Sequence, residues 1–247
     1  MIVQGTQWLE ILSKKVSFLI KLCRCLDPTE LGTYLSALKC MKCPVGQYLS
    51  TDPLDESSPW RCEDCGALAP SNLAVEVNSR VSNSIKVMEE NGLDPDTCEK
   101  FILIHSRILH PQHAHMLDVK HSWLHLLGHH EGFLMADLSD KQLQTKEDTA
   151  RCILQVADKI IPGISRLRGT TLYELFLTYQ QRGLNWYHRA ERGAKDILSV
   201  FKTAEDCLLK CIDTLQYEPE HQAEGKLLIQ AQEELQILRE FVSNLTN

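Results

Sequence analysis

The stretch Cys40–Gly66, CMKCPVGQYLSTDPLDESSPWRCEDCG, carries two Cys-x-x-Cys pairs separated by residues 44–61. This separation is typical of a four-cysteine zinc site. The two intervening residues of each pair let both sulfurs turn toward one centre, and two such turns complete a tetrahedron of thiolates. A site filled by four sulfurs has no open position for water, so its metal holds structure. The sequence therefore predicts one structural Zn²⁺ with these ligands: Cys40, Cys43, Cys62 and Cys65.

Disulfide bonds and a redox-active pair are the two alternatives to a zinc site for these cysteines. Disulfides need an oxidising compartment, but residues 1–22 lack the basic start and the small-residue cleavage site of a signal peptide. A thioredoxin-type redox pair needs a βαβ context, and no such pattern surrounds these pairs. Gly66, directly after the second pair, is expected to adopt the positive φ that such a turn often needs.

Composition limits the classes of partner. The chain has 247 residues, is 43% hydrophobic and carries a formal net charge of -7. An acidic chain is a poor general binder of nucleic acid, and no apolar run is long enough to span a bilayer. We expect a cytoplasmic or nuclear protein whose partner or substrate is another protein, without direct nucleic-acid or membrane binding. Several arginines lie close in sequence and predict a solvated helix face, with a basic patch as the alternative: Arg166, Arg168, Arg182, Arg189 and Arg192.

The chain is predicted to have three parts. Residues 1–24 form an apolar lead, residues 25–68 a zinc-binding lobe, and residues 69–247 a helical domain. Strand-like pieces in the lobe are Thr33–Leu38 and Gln47–Leu49, and the turn-rich segment 50–59 predicts a loop. The predicted fold class is mainly α: a small four-cysteine, zinc-ribbon-like lobe followed by a TPR-like antiparallel array of about seven helices.

Start and stop signals divide the helical part. Asp94 followed by Pro95 predicts a helix N-terminus, and Phe101, Ile104 and Ile108 form its predicted apolar face. Ser139 opens another helix, which Pro162-Gly163 ends. The small-residue rhythm and closing proline of residues 204–225 are typical of a second TPR helix and its turn, although no 34-residue period runs through the region.

Histidines are concentrated in residues 110–130, HPQHAHMLDVKHSWLHLLGHH. His121, His125 and His129 have a spacing that places three imidazoles on one helical face, so metal binding was considered. No His-Glu-x-x-His pattern accompanies them, and a structural or pH-sensitive role is the preferred prediction. The remaining helical cysteines are predicted to be small buried hydrophobes: Cys98, Cys152, Cys207 and Cys211.

Catalytic motifs are missing from the sequence. We found no Gly-rich phosphate cradle, no Gly-x-Ser-x-Gly elbow and no kinase-type Asp-Phe-Gly. We therefore predict no catalytic and no cofactor-binding residues. By its chemistry alone, the chain reads as a zinc-stabilised helical interaction protein.

A family resemblance adds to this interpretation. The run RCLDPTELGTYLSALKC, residues 24–40, followed by the paired cysteines, resembles the stretch immediately after the SET domain in SMYD-type proteins, especially the SmydA branch. LHPQHAHMLDVK, residues 109–120, and LQYEPEHQAEG, residues 215–225, are similar to that family's helical C-terminal domain. The resemblance covers about residues 25–247.

This resemblance implies a protein-lysine methyltransferase lineage that uses S-adenosylmethionine. The family's post-SET pattern is Cys-x-Cys-x-x-Cys, and Cys25 matches its last cysteine. The other two positions of the pattern are occupied by Ile20 and Leu22, so the pattern is broken. Cys23 lies one residue out of register. Two alternatives follow for Cys23 and Cys25: they join a second zinc site, or they stay outside one. The SET core, its catalytic tyrosine and the MYND module have no counterpart here.

The resemblance thus leads us to expect the C-terminal portion of a SmydA-type protein, such as a truncated isoform. The expected role is a zinc-stabilised protein-interaction module that binds no methyl donor by itself. The alternative is an S-adenosylmethionine-dependent protein-lysine methyltransferase, formed when a full-length chain or a partner supplies the SET core.

Overall fold

The computed structural model describes residues 26–246, so residues 1–24 with Cys23, and Cys25, lie outside the described part. Within this range the chain contains seven α-helices and a four-stranded sheet. The mainly helical class with a small cysteine-bearing sheet is therefore confirmed. The chain divides between Trp123 and Leu124 into two compact units. The predicted partition at residues 24 and 68 stays a prediction.

The sheet of the first unit is antiparallel and follows chain order, β1-β2-β3-β4. Its strands are β1 Leu38–Lys39, β2 Gln47–Ser50, β3 Trp60–Cys62 and β4 Leu68–Ala69. The register pairs Lys39 with Gln47 and Tyr48 with Cys62. Because each cysteine pair falls at a hairpin turn and β2 pairs with β3, the two turns lie at the same end of the sheet.

The predicted strand Thr33–Leu38 is wrong except at its last residue. Residues 33–37 form turns, and a positive φ at Tyr34 is incompatible with an extended strand. The carboxylate of Asp27 accepts hydrogen bonds from the backbone of Thr29 and Leu31, at 2.8 and 2.7 Å, and these bonds stabilise turns. The predicted strand Gln47–Leu49 is confirmed as β2, and the segment between β2 and β3 is a loop, as predicted.

The helices that begin in the first unit are α1 Ser71–Asn91, α2 Pro95–His105 and α3 Ala114–Leu126, and the boundary between the units falls within α3. The N-cap prediction at Asp94 is confirmed. Its side chain accepts from the backbone N–H of Thr97, and the Thr97 side chain completes a capping box.

The predicted apolar face of α2 is only partly buried. Phe101 is buried, whereas Ile104 is 62% exposed and Ile108 is 43% exposed. Leu103 beside them is also exposed. The predicted face thus extends past the helix, which ends at His105, and its apolar side chains beyond Phe101 are exposed.

The second unit contains four long helices: α4 Asp140–Ile160, α5 Arg166–Arg189, α6 Ala194–Leu215 and α7 Ala223–Thr246, preceded by a 3₁₀ turn at Met135–Asp137. Consecutive helices pack together, and α5 also contacts α7. Their connections are short, residues 161–165, 190–193 and 216–222. Ser139 caps α4 through a capping box with Gln142, as predicted.

Apolar side chains that recur at helical spacing form the core of this unit. Phe176, Phe201, Leu208 and Leu215 are almost inaccessible to solvent. Close packing of α5 against α6 needs small residues, because a Cβ at Gly183 would lie 2.7 Å from the ring of Phe201. Among the described helices, none combines the length and the apolar character required to cross a membrane.

Candidate metal centre

Two short hairpins build the cysteine cluster. In the first, the backbone N–H of Cys40 donates to the carbonyl of Gly46 at 2.9 Å, which closes the turn that carries Cys40 and Cys43. In the second, the N–H of Cys62 donates to the carbonyl of Ala67 at 2.9 Å. The two turns thus share the same backbone hydrogen bond. Because they lie side by side at one end of the sheet, their four cysteine side chains converge.

The four sulfurs form a compact group. All lie within 4.8 Å of one another. The sulfurs of Cys40 and Cys65 are 3.7 Å apart, and those of Cys43 and Cys62 are 3.6 Å apart. A tetrahedron with metal–sulfur bonds of about 2.3 Å has edges of about 3.8 Å. The spacing therefore suits one metal ion at the centre and is far longer than a disulfide bond of about 2.05 Å. The eight cysteines that the structure describes are free.

Backbone N–H groups point at the sulfurs. The N–H of Lys42 lies 3.3 Å from the sulfur of Cys40, and that of Cys65 lies 3.5 Å from the sulfur of Cys62. The Tyr48 hydroxyl also donates to Cys40. Burial acts to raise the pKa of Cys40, but the N–H groups and this hydroxyl outweigh it and lower the pKa to about 6. A thiolate at this position is thus stabilised before any metal arrives.

The remaining sulfurs show why a cation is needed. Burial and the neighbouring sulfurs raise the pKa of Cys43 to about 12. Four thiolates within 4.8 Å of one another repel each other, and a divalent cation removes that repulsion. The donor set, the spacing and the charge requirement all fit a bound metal ion, so these residues could hold one.

Two glycines are required by the geometry of the site. A Cβ at Gly46 would lie 2.3 Å from the sulfur of Cys62, so any side chain there would displace a ligand. Gly66 has a φ of 69°, which confirms the predicted positive φ after the second pair. Sequence reasoning found Gly66 but missed Gly46 and Tyr48. The only sequence signal for Gly46 was its place three residues after Cys43.

The histidine-rich segment does not form a metal cluster within residues 26–246. His125 and His129 instead meet at one carboxylate: His125 Nδ1 lies 3.1 Å and His129 Nε2 lies 3.2 Å from Glu174 Oε1. α3 ends at Leu126, so His129 lies beyond the helix and reaches Glu174 from the following turn. The structural role predicted for this segment is supported by these bonds.

A buried lysine completes this cluster, and sequence reasoning missed it. Lys146 is fully inaccessible, and its ammonium donates to the carbonyls of Leu124 and Leu127 at 2.6 and 2.5 Å. Its third bond, 2.8 Å long, goes to Glu174 Oε2. Burial acts to raise the pKa of Glu174, but Lys146 and the two histidines outweigh it and keep the pKa well below its ordinary value. We call these four residues, Lys146, Glu174, His125 and His129, the buried charge cluster.

A second polar network lies on α4 and α5. Glu147 accepts hydrogen bonds from Tyr179 at 2.5 Å, Arg151 at 2.9 Å and Arg182 at 2.5 Å. The side chain of Arg182 is only 14% exposed, so the prediction of a solvated face is wrong for this arginine. The other arginines of the predicted patch also have partners, including Glu218 for Arg166 and Asp140 for Arg189.

The helical cysteines behave largely as predicted. Cys98, Cys207 and Cys211 are buried, and burial raises the pKa of each thiol. Cys152 is only partly buried. These residues are spread over three helices and are not close enough to one another to form a further group of metal ligands among the described residues.

Comparisons with known proteins identify no family for this chain. No protein-family model matches the chain. No curated protein matches it at a significant level. A function for this chain therefore rests on the geometry of the four cysteines.

Proposed function

We propose that the four cysteines hold one Zn²⁺, which maintains the fold of a small lobe in a helical protein-interaction module. The single observation that supports this proposal is the convergence of four thiol sulfurs within 4.8 Å of one another. A closed site of four thiolates is characteristic of structural zinc. With no open coordination position, such an ion activates neither water nor substrate.

Metal analysis of the purified chain tests the identity of the ion. We expect about one zinc per chain by plasma mass spectrometry. Cys62→Ser is expected to abolish zinc binding, because it removes the thiolate of the most buried of the four cysteines. The control Cys152→Ser, which lies outside the cluster, should retain the metal. Iron in place of zinc would preserve a metal centre but overturn the zinc assignment. No metal at all would overturn the proposal.

The interaction role is supported by the arrangement of the helices and by one exposed patch. We propose that α4–α7, joined by short connections, form a TPR-like antiparallel array. In the first unit, Leu103, Ile104 and Ile108 expose apolar surface on and just after α2. Contiguous exposed apolar side chains mark protein-binding surfaces. We further propose that the protein acts in the cytoplasm or nucleus on a protein partner or substrate.

Affinity capture with Ile104→Ser tests this role. Because Ile104 is 62% exposed, the substitution should leave the fold intact and reduce recovery of any partner bound there. Lys100→Ser, at an exposed polar position on the same helix, serves as the matched control. Failure of the wild-type chain to recover any protein above background would count against an interaction module.

The relation to SmydA-type SET-domain proteins is part of the same proposal. It rests on residues 24–40, the cysteine pairs that follow them and the two helical pieces, residues 109–120 and 215–225. In that lineage a SET core binds S-adenosylmethionine, and the present chain is proposed to bind none alone. Calorimetric titration with S-adenosylmethionine should therefore give no binding heat. Measurable heat would favour the alternative, a protein-lysine methyltransferase.

A further inference from the structure

The four sulfurs differ sharply in their accessibility. Cys62 is 1% exposed, whereas Cys65 is exposed, together with its neighbours Glu63, Asp64 and Gly66. Cys40 and Cys43 are intermediate. Of the four cysteines, Cys65 is thus the most exposed residue, and its turn is the part of the cluster that a dissolved oxidant meets with the least protein in its way.

Hydrogen bonding reinforces this difference. The thiolate of Cys40 accepts from the Tyr48 hydroxyl and from backbone N–H groups, which withdraw electron density from its sulfur. The sulfur of Cys65 accepts from the backbone N–H of Ala67. Among thiolates of equal charge, intrinsic nucleophilicity falls as hydrogen bonding lowers the pKa, and exposure to the oxidant raises the rate of oxidation.

Cys65 also has a partner in position to resolve an oxidised sulfur. The sulfur of Cys40 lies 3.7 Å away, so the two sulfurs need to approach by about 1.7 Å to reach the disulfide bond length of about 2.05 Å. The other close pair, Cys43 with Cys62, has the same spacing but includes the buried ligand. The outer pair is therefore the one that a peroxide should link.

We propose that Cys65 is a site of reversible oxidation by hydrogen peroxide, with Cys40 as the resolving residue and release of zinc as the consequence. This inference rests on the proposed function, since it needs a bound zinc to release. It adds a modification site and a redox response to what is otherwise a purely structural ion.

The chemistry balances in two steps. The thiolate of Cys65 attacks one oxygen of hydrogen peroxide, the O–O bond breaks, and Cys65 becomes a sulfenic acid while hydroxide leaves. The thiolate of Cys40 then attacks the sulfur of Cys65, the S–O bond breaks, and a second hydroxide leaves. Two protons from solvent convert both hydroxides to water. The two sulfurs together lose two electrons to hydrogen peroxide. Only the thiolates of Cys43 and Cys62 then remain as ligands, so the zinc is released.

The test uses the full-length, zinc-loaded chain and dilute hydrogen peroxide. Zinc release is followed with a chromophoric chelator, and disulfides are mapped by mass spectrometry of non-reduced peptides. We expect release of zinc together with a Cys40–Cys65 linkage, both reversed by a dithiol reductant and added zinc. Retention of zinc under peroxide, or a dominant Cys43–Cys62 linkage, would overturn the inference.

Matched variants separate the roles of the sulfurs. Cys65→His and Cys43→His each leave three thiolates and one imidazole, a ligand set that also binds zinc. Release by peroxide should be at least about tenfold slower in Cys65→His than in Cys43→His, because only the latter keeps the exposed thiolate and its resolving partner. Equal rates would contradict the assignment.

Zinc content before oxidation distinguishes the two proposals. A chain without zinc at the outset overturns the proposed function and this inference with it. A chain that contains zinc and keeps it under peroxide overturns only the inference.

Discussion

The cysteine-bearing lobe and the four-helix region α4–α7 are stabilised by different means. The strands of the lobe are two to four residues long, and the segment before β1 consists of turns. The four helices are 21 to 24 residues long and bury a continuous series of apolar side chains. The lobe is organised around the cluster of four cysteine sulfurs, whereas the helical region is organised around a core of apolar side chains.

This difference shows what each region needs in order to fold. Short strands with one buried face cannot bury enough apolar surface to offset the entropy lost on ordering the backbone. Metal–ligand bonds can supply what the small core lacks. Long amphipathic helices need no such aid, and their weak point is the polar group that is buried with the core, such as Lys146.

The largest expected effect is the loss of the lobe when the proposed zinc is removed. Either chelation or Cys62→Ser should abolish amide-exchange protection in β1–β4, because two hairpins then lose the centre that joins them. Amide-exchange protection in α4–α7 should remain nearly unchanged, since these helices lie in the other unit. Hydrogen exchange read by mass spectrometry measures both regions in one sample.

Cys152→Ser is the control for this comparison, since that residue lies outside the cluster. Cooperative unfolding of the whole chain on chelation would show that the two regions are not independent, and the contrast drawn here would then be wrong.

The next effect tests the buried charge cluster. Glu174→Gln leaves the ammonium of Lys146 buried without its counter-charge, and breaking a buried pair in this way costs about 3–5 kcal/mol of unfolding free energy. Urea unfolding of the helical region measures this cost. Arg239→Gln breaks an ion pair with Glu205 on the exposed surface and should cost less than about 1 kcal/mol. Similar losses in both variants would contradict the burial argument.

Acid should weaken the same cluster, and mild acid by less than the substitution does, because Glu174 in the folded chain keeps its charge until the pH approaches its lowered pKa. The pKa of Glu174 in the folded chain lies below its ordinary value of 4.5. Its contribution to stability is therefore complete above the unfolded value and is lost as pH falls below about 4.5 toward the folded value. The difference in unfolding free energy between wild type and Glu174→Gln should therefore be constant above about pH 5 and should narrow as the pH falls from about 4.5 to about 3. A difference that stays constant down to about pH 3 would rule out this linkage.

A smaller effect concerns the contact between α5 and α6. Gly183→Ala places a methyl group 2.7 Å from the ring of Phe201, which is buried. Overpacking of this kind costs about 1–3 kcal/mol. At Gly193, the N-cap of α6, a new Cβ would meet nothing within 4 Å. Gly193→Ser should therefore change stability by at most about 0.5 kcal/mol. Thermal unfolding of the two variants provides the measurement.

Local signals predicted much of the helical part and the metal centre. Asp94 and Ser139 were found as N-caps because capping depends on neighbours three residues away. The four cysteines were found because two Cys-x-x-Cys pairs with this spacing carry their geometry within short turns. β3 and β4 were not predicted, since strands of two or three residues are too short to show an alternating pattern.

The tertiary structure decided which long-range groups meet. Glu174 lies far along the chain from His125 and Lys146, and nothing near any of them in the sequence indicates the others. The exposure of Ile104 and the burial of Arg182 likewise depend on which helix lies alongside. The same holds for the exposure of Cys65 and the burial of Cys62, although both belong to one short motif.

The sequence by itself thus determined the N-caps of α2 and α4, the mainly helical class and the four cysteines that converge, because the caps and the cysteine turns depend on residues within a few positions of one another. Only the tertiary structure decided the buried charge cluster, the unequal exposure of the four cysteines and the exposure of Leu103, Ile104 and Ile108. These depend on contacts between distant segments, whose free energies are set by burial and by distance in space.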